Sequence, residues 1–193
     1  MIYWPAFLIM KLINLIYFRT KFQGLEHIPS GKPFILACNH NSNLDPFVVG
    51  ICRWQRFSFL AKEELFRSKI SSFLFAGMGA FPIKRDTSDF RALREALRRL
   101  KRGCPLILFP EGTRGVGDRK KESQPGVGFL AQKSGVPVIP VFIQGSDKAL
   151  PQGSKWFKFH PIRIIFGRPL VFTQDQKYNQ ISDSILQAIY SNP

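Results

Sequence analysis

The sequence predicts an α/β fold: a three-layer sandwich with a mixed, largely parallel sheet flanked by helices, plus an N-terminal membrane-interface helix. Short apolar runs at 33–38, 57–61, 105–109, 138–143 and 162–166 have the length and unbroken hydrophobicity of strands buried on both faces, and 81–83 is a further short one. Longer amphipathic stretches lie between them, and such alternation builds a parallel sheet covered by helices. The clearest helix is 88–102, where Phe90, Leu93, Leu97 and Leu100 fall on one apolar stripe and Gly103 ends it.

Residues 2–18 are nearly all apolar, broken only by polar Lys11 and Asn14. As a helix these 17 positions reach about 26 Å, a little less than the ~30 Å hydrocarbon core of a bilayer, so a span is marginal. Lys11 and Asn14 share a helical face and Arg19 and Lys21 follow, which suits a helix lying in the interface with its basic groups toward lipid phosphates. The alternative is an ordinary core helix. Pro5 belongs in or before the first turn. The segment lacks the basic start and cleavage site of a signal peptide and is expected to be retained. The expected division is an apolar membrane-associating helix over 1–24 and an α/β domain over 25–193.

With 193 residues the chain suits one compact domain with a real core. A formal charge of +15, from 28 Lys and Arg against 13 Asp and Glu, calls for an anionic partner: nucleic acid, an acidic bilayer or a phosphorylated substrate. An apolar content of 45%, with 19 Phe, is too low for a multi-span membrane protein but leaves surface to meet lipid. Cys38, Cys52 and Cys104 sit in or beside apolar runs without the C-x-x-C spacing of a metal or redox site, and read as buried thiols.

Four stretches carry chemistry. In Cys38-Asn39-His40-Asn41-Ser42-Asn43-Leu44-Asp45-Pro46-Phe47, a polar turn follows directly on a predicted strand, the place where α/β sheets bind ligands. Asp45 before Pro46 reads as the N-cap of a helix over 46–52. Such a turn can bring His40 and Asp45 into hydrogen-bond contact, fixing the imidazole tautomer and stabilising the imidazolium formed when the other nitrogen takes a proton. Equally, Asp45 only caps the helix and His40 only bonds the turn.

In Phe109-Pro110-Glu111-Gly112-Thr113-Arg114, Gly112 permits a sharp turn, while Thr113 and Arg114 offer a hydroxyl and a guanidinium to phosphate oxygens. Glu111 suits a glycerol hydroxyl or holds Arg114; a solvated loop is the plain alternative. Gly79 to Arg85 reads as a short strand ending in two cations, Lys84 and Arg85. If its strand neighbours that of Arg114, the two arginines would clamp one phosphate. Val136 to Val141 is apolar with two prolines, which points to an edge or the entry to a strand.

In this order the four stretches resemble the glycerolipid acyltransferases, closest to the 1-acyl-sn-glycerol-3-phosphate (lysophosphatidic acid) acyltransferases. His40 through Asp45 matches the family's H-x-x-x-x-D motif, 79–85 its arginine-bearing motif, 109–114 its F-P-E-G-T-R motif and 136–141 its proline motif, with the likeness running over about 25–170. The resemblance implies acyl transfer from acyl-CoA or acyl carrier protein to a lysophosphatidate hydroxyl, without metal, cofactor or acyl-enzyme. It implies His40 as base, Asp45 as its orienting partner, and Arg85, Glu111, Gly112, Thr113 and Arg114 as the acceptor site. It further implies an anionic membrane surface and a lysophospholipid acceptor as partners, no nucleic acid, and a place at the cytoplasmic face of the cell membrane. Lys84 stands where many relatives are acidic, and Gln124-Pro125-Gly126 where a lysine often precedes the glycine; Lys120 and Lys121 can compensate.

The rival readings are a related acyltransferase for glycerol 3-phosphate or a lyso-aminolipid, a hydrolase with Cys38 as nucleophile, and a non-catalytic basic module. That module would bind nucleic acid or membrane through the cationic side of 88–102, Arg91, Arg94, Arg98, Arg99, Lys101 and Arg102.

Overall fold

The computed structural model describes residues 2–84, 89–112 and 123–191. Among these, β1 (Lys21–Gln23), β2 (Ile35–Cys38), β3 (Ser58–Lys62), β4 (Ala80–Ile83), β5 (Leu106–Leu108), β6 (Val138–Gln144) and β7 (Arg163–Phe166) form one sheet, in the order β1-β7-β6-β2-β5-β3-β4. The strands from β6 to β4 run parallel, β7 runs antiparallel to β6, and β1 pairs with β7 in parallel. The six predicted strands are all present. β1 escaped the sequence reading because Lys-Phe-Gln is mostly polar, and its pairing is fixed by β7 rather than by its own hydrophobicity.

Helices cover both faces. On one lie α1 (Tyr3–Ile13), α2 (Asp45–Gly50) and α3 (Lys69–Gly77); on the other lie α4 (Phe90–Lys101), α5 (Pro125–Ser134) and α7 (Tyr178–Tyr190), while the short α6 (Ser146–Ala149) follows β6. The strand period of two sorts β2 between the layers: Leu36 and Cys38 join Phe18, Val48 and Val49, whereas Ile35 and Ala37 join Ala96, Leu130 and Ile185. This double coverage is why β2 reads as an unbroken apolar run.

The structure corrects two expectations here. Along α4 the buried line is Ala92, Ala96 and Leu100, with Leu93 and Leu97 partly covered, while Phe90 is 64% exposed. Small alanines bring the helix close to the sheet, and Phe90, in the first turn, overhangs it. Gly103 does end the helix, with φ +81°. Of the two places expected for the proline run, the entry to a strand holds for Pro137, directly before β6, but β6 itself is internal, between β2 and β7, not an edge. Pro140 is tolerated because it faces the β7 side, where pairing stops at Val141–Phe166 and resumes only as the isolated Val138–Leu170 bridge; its carbonyl accepts from the Gly167 N–H. Its missing N–H therefore removes no ladder bond.

Asp89 fastens α4 to β4. Its Oδ1 accepts from the N–H groups of Arg91 and Ala92, and its Oδ2 from that of Lys84. These bonds, the Lys84 amide foremost, hold its carboxyl below the usual range. Asp89→Ala is expected to cost about 1 kcal/mol, read as a lower urea midpoint. The difference should be present at neutral pH and fade in acid, as pH falls through the depressed pKa of the carboxyl.

Residues 3–18 are helical, α1 passing into one wide π turn, Asn14–Phe18, closed by the Arg19 N–H to the Asn14 carbonyl. Pro5 lies in the first turn. Tyr3 and Phe7 pack on Ile51, while Leu8, Ile9, Leu12, Leu15 and Ile16 remain exposed. The expected polar face is turned back on the protein: the Lys11 ammonium lies 4.5 Å from the centre of the Trp54 ring, a cation–π contact, and Asn14 accepts from the Thr20 hydroxyl. No helix among the described residues is long and apolar enough to cross a membrane.

Candidate active site

The site forms at the carboxyl ends of β2 and β5, adjacent strands whose register pairs Ile35 with Leu106. Chain leaving β2 turns through residues 39–44 into α2. Asn39 staples this turn to the end of β6: its Nδ2 donates to the Ile143 carbonyl at 2.8 Å, and its Oδ1 accepts the Ile143 N–H at 2.6 Å. Asn41 Nδ2 donates to the same carbonyl at 3.1 Å, and the Ser42 hydroxyl to the Leu150 carbonyl at 2.9 Å. These three side chains were legible only as turn formers; their part in fixing the loop needs the position of β6.

Within the turn His40 Nδ1 lies 2.9 Å from Asp45 Oδ2. The same oxygen accepts the N–H groups of Asn41, at 2.7 Å, and Ser42, at 2.8 Å. Asp45 is therefore not the forward-reaching N-cap expected. It is the first helical residue, next to Pro46, and its carboxylate turns back into the preceding loop because two backbone donors and the ring converge there. Asp45 is fully buried and His40 only 7% exposed, so water competes little with the pair. A carboxylate cannot donate, so Nδ1 carries the proton and Nε2 is left as the ring nitrogen with a free lone pair. The His40 ring stacks on Phe109 from the second turn, with centroids 4.1 Å apart. The motif of His40 and that of Phe109 to Gly112 thus meet.

Glu111 is buried, and its Oε1 accepts a hydrogen bond from the Tyr190 hydroxyl at the end of α7. Burial, then the bond to Glu111, push the Tyr190 hydroxyl pKa upward, so it stays a donor. Tyr190 also packs edge-on against Phe142. No motif marks Tyr190, because only the packing of α7 brings it to the site. Gly112 has φ +66°, and a Cβ there would come within 2.9 Å of the Gln124 side chain, so the turn requires glycine twice over.

Arg85, Thr113 and Arg114 lie outside the described residues, as do Lys120 and Lys121. The strands preceding the two arginines, β4 and β5, are not neighbours: β3 runs between them. The condition set for a shared clamp on adjacent strands is not met. Lys84 sits 3.9 Å from Glu63 in an exposed pair of little energetic weight.

Beside the dyad, α1 and α2 enclose an apolar cavity of about 420 Å³. Its walls include Asn43, Leu44 and Phe47, directly downstream of His40, with Ala6 and Met10 from α1, and Phe157. A cavity of this size and apolar lining suits a hydrocarbon chain.

Cys38 is fully buried, and burial followed by the charge of Asp45 raises its thiol pKa well above the normal range. That environment suits a structural thiol, not a nucleophile, and removes the support for a cysteine hydrolase. Cys52 and Cys104 are half-buried rather than buried, and all three thiols are free. Burial pushes the Cys52 thiol up to about 12.

Fold and site define an α/β protein that holds a histidine–carboxylate pair at the carboxyl end of a parallel sheet, next to an apolar cavity. Residues 19–144 match the Acyltransferase family. A 1-acyl-sn-glycerol-3-phosphate acyltransferase of Bacillus subtilis is 31% identical over 164 residues, covering 83% of this chain and 78% of that one. A chloroplastic 1-acyl-sn-glycerol-3-phosphate acyltransferase of Brassica napus is 30% identical, covering 88% of this chain and 52% of its own length. The crystal structure of the 1-acyl-sn-glycerophosphate acyltransferase PlsC from Thermotoga maritima superposes with a TM-score of 0.76 at 27% identity, covering 97% of this chain and 78% of that one. The chain belongs to the Acyltransferase family. It spans about half the length of the plant relatives it matches.

Proposed function

We propose that this chain transfers an acyl group from a thioester of coenzyme A or acyl carrier protein to the sn-2 hydroxyl of lysophosphatidic acid, giving phosphatidic acid. His40 Nε2 takes the hydroxyl proton as the oxygen attacks the thioester carbonyl, and Asp45 stabilises the imidazolium. Collapse of the tetrahedral intermediate breaks the carbon–sulfur bond, and the imidazolium returns its proton to the departing thiolate. The thioester is a cosubstrate, and the scheme uses no metal, cofactor or acyl-enzyme.

One observation carries the reading: the 2.9 Å bond between His40 and Asp45 beside a cavity fit for an acyl chain. The names of the relatives support the acceptor. In this reading Arg85, Glu111, Gly112, Thr113 and Arg114 form the acceptor site, and residues 1–24 associate with an anionic membrane surface at the cytoplasmic face. The exposed arginines of α4, on the opposite side of the sheet from α1, form a solvated rim and bind no nucleic acid.

The test is purified protein given labelled acyl-CoA and acyl carrier protein thioesters with lysophosphatidate, glycerol 3-phosphate or a lyso-aminolipid. Phosphatidate is the expected product, and transfer only to another acceptor would reassign the substrate. If Glu111 serves the acceptor, Tyr190→Phe should raise the acceptor KM by roughly two- to tenfold, the weight of one hydrogen bond, with kcat nearly unchanged. An equal fall in kcat would place Tyr190 elsewhere in the mechanism.

A further inference from the structure

The loop over 151–161, between α6 and β7, carries a second apolar surface that the site does not use. At its centre Lys155-Trp156-Phe157-Lys158-Phe159 alternates cations and rings. Trp156 is 82% exposed and Phe159 74%. Large rings left this open three residues apart mark an interaction surface rather than normal surface scatter.

The loop is built, not loose. Its backbone is tied by the Lys158 N–H to the Ala149 carbonyl, the His160 N–H to the Tyr17 carbonyl and the Ile162 N–H to the Phe18 carbonyl. Phe159 stacks on Tyr17 at 4.5 Å, and Phe157 meets Phe18 edge-on at 5.4 Å. The Ser154 hydroxyl accepts from the Trp156 N–H and donates to its carbonyl, which fixes the backbone that displays the indole.

Those contacts join the loop to Tyr17 and Phe18 in the π turn that continues α1, where the neighbouring Leu15 and Ile16 are exposed. At the other end of that helix, Ile2 lies against Gly77 of α3, whose Ile70 and Phe73 are also open. One apolar band therefore runs from α3 along α1 to the loop, and Phe157 belongs both to the loop and to the cavity wall. Charge along the band has one sign: no acidic residue occurs in 2–25 or 148–174, while Arg19, Lys21, Lys155 and Lys158 are exposed.

We propose that the 151–161 loop is a second membrane anchor, seating Trp156 and Phe159 in the interface of an anionic bilayer while Lys155 and Lys158 meet lipid phosphates. Amphipathic indole rings favour the headgroup boundary, and basic side chains beside them gain from the surface potential of anionic lipid. Since α1 and the loop both line the cavity, two anchors turn it toward the membrane that holds its substrates. The inference rests on the proposed reading of the chain as an enzyme of lipid substrates, but its test needs no catalysis.

The full chain is sedimented with vesicles of phosphatidylcholine and phosphatidylglycerol in equal parts. The double variant Trp156→Ser/Phe159→Ser is expected to partition about tenfold less or weaker still, because two interfacial rings are lost. Lys155→Glu/Lys158→Glu should weaken binding to the mixed vesicles and leave binding to pure phosphatidylcholine unchanged. In a Trp4→Phe/Trp54→Phe protein, brominated lipid should quench the emission of Trp156. Unchanged partitioning of the serine variant, or absence of quenching, would overturn the anchor. Transfer to a short-chain acceptor dissolved as monomer should survive the serine substitutions. If the unsubstituted chain transfers no acyl group to any acceptor while the serine variant still loses vesicle binding, the anchor stands and the enzymatic reading fails.

Discussion

His40→Ala should lower acyl transfer by about 10²–10⁴-fold, the contribution of a positioned general base, while the protein still folds. The ring stacks on Phe109 but belongs to neither core cluster, so its loss opens only a small gap at the strand ends. Circular dichroism and a urea midpoint near that of the unsubstituted chain would show that the fold persists. Retained turnover in a folded variant would remove His40 from the mechanism. Because Nδ1 is committed to Asp45, His40→Gln is expected to be equally inactive: an amide can occupy part of the space but cannot accept and return a proton at neutral pH.

Asp45→Asn is expected to damage both rate and stability, which separates it from His40→Ala. One carboxylate oxygen accepts from the His40 ring and two backbone amides, and the other, Oδ1, is buried without a hydrogen-bond partner among the described residues. An asparagine fits neither way. With its NH2 toward the turn, donors face donors; with its NH2 in the Oδ1 position, a buried donor is unsatisfied. Roughly 2–3 kcal/mol of stability should be lost. The rate should fall by about 10²-fold or more, since the imidazolium loses its counter-charge and the ring its tautomer. Denaturant melts and kcat measured on the same preparation check both effects, and a variant with normal stability and rate would contradict the geometry.

The pairing of His40 with Asp45 was legible only as one of two even readings of the stretch, because a short turn into a helix allows the contact without requiring it; the resemblance to the acyltransferases is what favoured it. The other six strands were legible because burial between helical layers makes most of their residues apolar. What the sequence withheld was set by distant partners. Pro140 looked like an edge residue until the early end of β7 removed the need for its N–H. The polar side of α1 looked lipid-facing until Trp54, forty-odd residues on, offered Lys11 an aromatic face. Tyr190 carries no signal in its own neighbourhood, since its role depends on where α7 ends relative to β5. The outward apolar side of α3 was missed because no polar periodicity frames it; only exposure reveals Ile70 and Phe73.

The central claim is that the acceptor's own hydroxyl, deprotonated by His40, attacks the thioester. Its most direct measurement follows a labelled acyl thioester on purified protein with and without lysophosphatidate, quenching for label on protein, water and lipid. The account predicts that the thioester is consumed only when lysophosphatidate is present, with one phosphatidate formed per thioester and no label on the protein. Thioester consumed without acceptor, or label held covalently by the chain, would contradict it.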